Sequence, residues 1–204
     1  RYLSDIDCRD AIGVGNSLFD FAEIRLGGRI RLREHFRCMP EIIEFSNQLC
    51  YQGEPLIPLR QYGENRLEPP VVSVYVPNGK QKGTSSGATN PIEADAIVSH
   101  IKDCIKDPRY KGKTFGVISL LGETQAKCIA RKLINEVGPQ LIEAREIVCG
   151  DAYAFQGDER DVIFLSMVSA PGPDHRISNL SDSKSDRRFN VAVRRARDQV
   201  FLFH

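Results

Sequence analysis

Three runs limit what this chain can fold into: "TFGVISLL" (114–121), "EIVCG" (146–150) and "VIFLSMVS" (162–169) are strand-length and almost wholly apolar. A strand with one wet face alternates polar and apolar side chains, so a run apolar throughout has to be covered on both faces. Two further runs, "VVSVYV" (71–76) and "VFLF" (200–203), have the same character. Helical spacing fills the intervals. Strand alternating with helix predicts an α/β fold with a mostly parallel sheet and helices on both faces. In such sheets ligands sit at the carboxyl ends of the strands.

The helices announce their starts. In "PEIIEFSNQLCY", Pro40 suits the first helical position and Glu41 the first turn, with Ile42, Ile43, Ser46, Leu49 and Cys50 on one side. Asn90 reads as a cap before Pro91, with Glu93 placed to close a capping box and Ala94, Ile97, Val98, Ile101 and Ile105 as a buried stripe. A third helix is predicted from about Glu123 to Asn135, and a last one carries the arginines near the end. Upstream, residues 17–24 have mixed helical character and "GRIRL" (28–32) reads as a short strand. Two polar stretches, 77–90 and 171–186, read as loops, the first as a mobile one.

Composition enters by exclusion. No stretch approaches the length of an apolar membrane span, and "RYLSDIDCRD" lacks the core of a signal peptide. Six cysteines lie scattered without metal-ligand spacing, which reads as reduced thiols in an intracellular, cytoplasmic protein. His35 and Cys38 fall on one helical face and read as structural. Arg1 in place of Met, and an apolar run that stops at His204, predict that residues 1–204 are one domain cut from a longer protein.

Formal net charge is +1, yet five arginines (Arg187, Arg188, Arg194, Arg195, Arg197) crowd into eleven residues. Any anion or nucleic-acid binding must come from such local patches. On a helical wheel Phe189, Ala192, Val193 and Ala196 form a buried stripe, with Arg188 and Arg195 at its border and Arg194 and Arg197 beyond. Two nucleotide signals fail. "KGKT" (111–114) has Asp107 where a phosphate loop needs glycine and opens a strand, not a helix. The acidic pair Asp158–Glu159 precedes its strand, whereas a magnesium carboxylate of that kind follows one.

Four segments in order, "LREHFRCMPEIIEFSNQLCY", "TFGVISLLGETQ", "VCGDAYAFQGDERDVIFLSMVS" and "RRFNVAVRRARDQVFLF", resemble those of the superfamily 1 helicases, in the branch of the nonsense-mediated-decay helicase. The resemblance runs from about Arg31 to Phe203 and implies the second of two RecA-like domains, with the P-loop NTPase fold. ATP and magnesium would be held mainly by the first RecA-like domain, the expected partner together with single-stranded nucleic acid, DNA ahead of RNA.

That resemblance assigns roles residue by residue. Arg195, in "NVAVRRA", looks like the arginine finger on the terminal phosphate of ATP, and Arg37 matches a second arginine that approaches it. Arginine's planar, permanently charged fork suits both places. Gly157 and Glu159 match a nucleotide-binding turn; Ser119, Gln125 and Gln156 match nucleic-acid-contacting positions. Arg194 stands where the family has Thr or Ser, and is expected to touch nucleic acid, to alter the geometry of the finger, or to be a solvated substitution. Rival readings are a non-catalytic scaffold that kept the fold, and a free-standing enzyme using Cys38 or Cys149 as nucleophile.

Overall fold

The computed structural model describes residues 17–28, 30–84, 87–170 and 183–204. The chain divides into two compact units, Arg1–Arg33 and Glu34–His204. In the first, α1 (Leu18–Leu26) begins at a full capping box: the Ser17 side chain accepts from the Asp20 amide and the Asp20 carboxylate accepts from the Ser17 amide. No residue of α1 is buried. Of the strand expected at 28–32, the described residues 28 and 30–32 form none. Regular pairing starts instead at β1 (Glu34–His35), where β2 (Ile57–Pro58) supplies a parallel partner.

The second unit is built on five strands, β3 (Val71–Val74), β4 (Phe115–Ser119), β5 (Val148–Asp151), β6 (Arg160–Ser166) and β7 (Ala196–Phe203), in the order β3-β7-β6-β4-β5. Every neighbouring pair is parallel. All side chains of β4 and β6 are buried, as their unbroken apolar runs require. Helices α2 (Pro40–Cys50) and α6 (Ser183–Val193) cover one face, packing Ile42, Ile43, Ala192 and Val193 against Ile118, Ile163 and Leu165. Helices α3 (Pro91–Lys106) and α4 (Glu123–Glu136) cover the other, packing Ile97, Ile101, Ile129 and Leu133 against Val117, Val162, Phe164 and Phe201. Each such aliphatic side chain, fully buried, is worth about 1.5–3 kcal/mol. The expected α/β architecture, a mostly parallel sheet with helices on both faces, is the one observed. A short α5 (Pro139–Ala144) follows α4 and was not legible in the spacing.

Two local expectations change. Asn90 caps α3 as predicted, but Glu93 does not close the box: the Asn90 amide donates to Gln125 Oε1 at 3.0 Å, and the Glu93 carboxylate turns away to β6. The arginine helix ends at Val193, so Arg194 and Arg195 lie in the turn before β7, while Ala196 and Arg197 are strand residues. Strand pairing wins over helix continuation because the Arg195 carbonyl is already taken by the Arg160 amide at 3.0 Å. The polar stretch 171–182, and residues 85 and 86 of the loop predicted to be mobile, lie outside the described residues.

Candidate functional site

The sheet presents its chemistry on two opposite edges. At the amino edge β6 and β7 start side by side, Arg160 opposite Ala196, and the segment entering α2 joins them through Met39, whose amide donates to the Arg197 carbonyl. Arg37, Glu159, Arg194, Arg195 and Arg197 therefore converge, although 158 residues separate Arg37 from Arg195. These side chains lie at the amino edge, opposite the carboxyl ends where ligands of such sheets are expected, because the turn at Arg194 and Arg195 comes just before β7.

Glu159 is held between two arginines: it ion-pairs with Arg37 and lies 3.6 Å from Arg197, which also bonds Asp161 at 2.7 Å. Arg160 braces the turn from below, donating to Asp158 Oδ1, to the Glu159 carbonyl at 2.6 Å and to the Glu146 carbonyl at 2.9 Å. Gly157 turns the backbone at φ +85°, in the left-handed region that glycine enters without a Cβ penalty. Among the described residues the Arg195 side chain has no hydrogen-bond or ion-pair partner, and its Nε is buried unsatisfied. Burial, then the charges of Arg37 and Arg194, hold its pKa below the usual guanidinium range. Five arginines, Arg37, Arg160, Arg194, Arg195 and Arg197, share three carboxylates, Asp158, Glu159 and Asp161, which leaves the site short of anions. Arginine donors of this kind fit a polyphosphate and do not fit a metal ion. Among the described residues no cluster of three or more His, Cys, Asp or Glu side chains is placed to hold one.

Beneath these arginines lies a neutral pair. His35 Nε2 sits 3.1 Å from Cys38 Sγ, which donates to the Arg194 carbonyl. Burial pushes the Cys38 thiol up to about 12, and burial together with Arg194 and Arg37 pulls His35 down to about 4. Cys149 is pushed up to about 12 as well. Neither thiol forms the thiolate that a nucleophile needs. Arg194 itself leans inward, 3.0 Å from the Tyr51 hydroxyl and 3.4 Å from His35 Nδ1, so its departure from Thr or Ser is absorbed between α2 and β1.

The turn carrying Gln156 reaches the amino edge by crossing the α2/α6 face of the sheet. Phe155, fully buried, fills the space left by two glycines: a Cβ on Gly116 would stand 2.8 Å from its ring, and one on Gly150 would meet Ala154 at 2.6 Å. Gln156 is left exposed beside Gly157.

At the carboxyl edge Ser119 ends β4, in register with Asp151 of β5 and Ser166 of β6. A hollow of about 300 Å³ opens there, lined by Ser119, Gly122, Asp151, Tyr153 and Arg188. Ser119 is buried, and among the described residues its hydroxyl has no partner. Gly122 starts α4 without a side-chain cap, Tyr153 is 72% exposed, and Arg188 Nη1 bonds the Leu120 carbonyl at 2.9 Å. Gln125, by contrast, is fully buried, with its amide committed to Asn90 and Ser166. Arg188 and Arg197 are legible in the sequence as members of the arginine run, without a specific role, whereas nothing in the sequence marks Tyr153.

A family model described as an AAA domain, a superfamily 1 helicase family, matches residues 14–203. Curated relatives include mov-10-B.1 of Danio rerio, named as a helicase, at 28% identity over 84% of this chain and 19% of that protein. Others are the human "DNA replication ATP-dependent helicase/nuclease DNA2", at 24% over 94% of this chain and 20% of that protein, and the mouse "5'-3' DNA helicase ZGRF1", at 25% over 93% and 10%. The chain thus spans a fifth or less of these relatives. No helix among the described residues is long and apolar enough to cross a membrane.

Proposed function

Because the chain belongs to the AAA-domain family of superfamily 1 helicases, we propose that it is the second RecA-like domain of an ATP-dependent helicase motor, lending arginine fingers to an ATP held mainly, with magnesium, by the first. The observation that carries this reading is the unpartnered guanidinium of Arg195 beside Arg37, above the turn at Gly157 and Glu159. Arg195 takes the terminal phosphate oxygens. Arg37 exchanges Glu159 for the same group, and Glu159 is freed toward the rest of the nucleotide. Charge that grows on the phosphoryl oxygens is met by groups already in place, so no solvent has to reorganise. Fingers of this kind contribute about 10³–10⁵ in rate, or roughly 4–7 kcal/mol.

The carboxyl-edge hollow suits the backbone of a single strand. The Ser119 hydroxyl and Arg188 are donors for a phosphate, and Tyr153 offers a stacking face. Gln125 and Arg194 act on such a strand indirectly in this reading, through the elements they brace. Gln156 lies on the segment that connects the two edges. Two of the relatives carry DNA in their names, which favours DNA over RNA.

The test is strand-stimulated ATP hydrolysis by the full-length parent protein. Arg195→Ala should lower the maximal rate by about 10³-fold or more while leaving oligonucleotide affinity intact. A rate indifferent to that change would favour the scaffold reading.

A further inference from the structure

Position 93 breaks the pattern of its own helix. It belongs to the buried stripe of α3 with Ala94, Ile97, Val98 and Ile101, where an aliphatic side chain would pack at no electrostatic cost, yet it is a glutamate only 1% exposed. Burying a carboxylate is unfavourable unless its oxygens are used. Here they are used on one short segment: Glu93 accepts from the Ser166 hydroxyl at the end of β6, and both its oxygens accept from the Val168 amide, at 3.2 and 3.1 Å.

Val168 is the reason the segment needs holding. It is buried and sits at φ +64°, a left-handed conformation that a β-branched residue rarely enters. Its carbonyl is also fixed, by Asn90 Nδ2 at 3.4 Å, and Asn90 in turn is bound through its amide and carbonyl to Gln125. Gln125 closes the circuit on the Ser166 hydroxyl at 3.2 Å, while the Ser166 carbonyl accepts from Leu120. One carboxylate thereby ties together the exits of β4 and β6 and the first turns of α3 and α4. Those exits line the carboxyl edge on both sides: Ser119 to Gly122 in one hollow, and Met167, Ser169 and Ala170 beside Asn90 in a second.

We infer that Glu93 is a positioning residue for the single-strand path: by holding Val168 in its inverted turn and Ser166 against Gln125, it fixes the strand exits that meet the nucleic-acid backbone. The inference rests on the strand-binding reading above. Glu93 touches no strand itself. A purely structural glutamate would be exchangeable for any residue that fills the space, whereas this one is tied to a particular outline of the edge. Satisfied buried networks of this kind hold one arrangement of their elements.

The experiment measures ATP turnover by the full-length parent protein against the concentration of single-stranded oligodeoxythymidine and, separately, oligouridine. Glu93→Ala should raise the half-saturating oligonucleotide concentration on the order of tenfold, with turnover at saturating strand and without strand unchanged. Glu93→Gln keeps an acceptor for the Val168 amide and should restore most of that loss. If Glu93→Ala does not fold, Ser166→Ala, which removes the hydroxyl joining Glu93 to Gln125, should shift the same quantity by a smaller factor. Variants that lower thermal stability while leaving the half-saturating concentration unmoved would overturn the inference alone. A wild-type protein indifferent to either oligonucleotide would overturn the strand-binding reading beneath it.

Discussion

Glu159 is the residue on which the amino-edge cluster turns. Without its carboxylate, Arg37 and Arg197 lose a shared counter-ion, leaving three like-charged groups with fewer partners. At half-exposed positions an ion pair contributes at most about 1 kcal/mol, so its worth lies in placement. Glu159→Gln is expected to leave the denaturation midpoint nearly unchanged and to weaken nucleotide affinity, read by titration with a fluorescent ATP analogue. Glu93 gives a second prediction, in pH. Burial pushes its carboxyl from 4.5 up to about 7, against the hydrogen bonds from Ser166 and Val168. The folded state therefore favours the neutral form. The stability this gives is complete below the unfolded value and is lost as pH rises through about 7, amounting to roughly 3 kcal/mol. Thermal midpoints of the wild type should fall relative to Glu93→Gln between about pH 5 and about pH 8, and parallel curves would contradict the assignment. Subtracting the variant removes the opposite contribution of His35, whose neutral form is favoured in the fold and whose stability is lost as pH falls from 6.5 through about 4. It likewise removes that of His100, whose pKa burial also lowers.

At the scale of elements, the segment from β5 to β6 joins the two edges without a helix, and Phe155 is its anchor. Gly116→Val would drive a branched side chain into the Phe155 ring and Ile163 and should destabilise by about 1–3 kcal/mol, read from the urea midpoint. Phe155→Ala should cost about 3–5 kcal/mol by the same measurement. Much of this layer was legible in the sequence. Unbroken apolar runs gave β4 and β6, Pro40 and Asn90 gave the starts of α2 and α3, and the stripe of α3 was read almost as it packs. What escaped depends on partners remote in sequence. Glu93 reads locally as a capping-box residue because nothing nearby announces Ser166 and Val168, more than 70 positions on. The arginine helix was read one turn too far because the claim of β6 on the Arg195 carbonyl is a tertiary fact. Ser119 falls at a strand end and Gln125 just after it, in the first turn of α4, but their burial follows from the network around them.

For the whole molecule, β6 and β7 run from one candidate site to the other. They begin at the arginine cluster and end at the hollows beside Ser166 and Phe203. In the proposed motor such rigid strands relay closure around the nucleotide to the strand path, so that each cycle of hydrolysis moves the domain along the nucleic acid. The central claim is that Arg37 and Arg195 act on a single phosphate. The most direct measurement is a double-mutant cycle on strand-stimulated ATP turnover by the full-length parent protein, comparing Arg37→Ala, Arg195→Ala and the pair. Two forks gripping one group fail together, so the double variant should be scarcely slower than Arg195→Ala alone. Losses that simply multiply, or turnover that survives Arg195→Ala, would contradict the account.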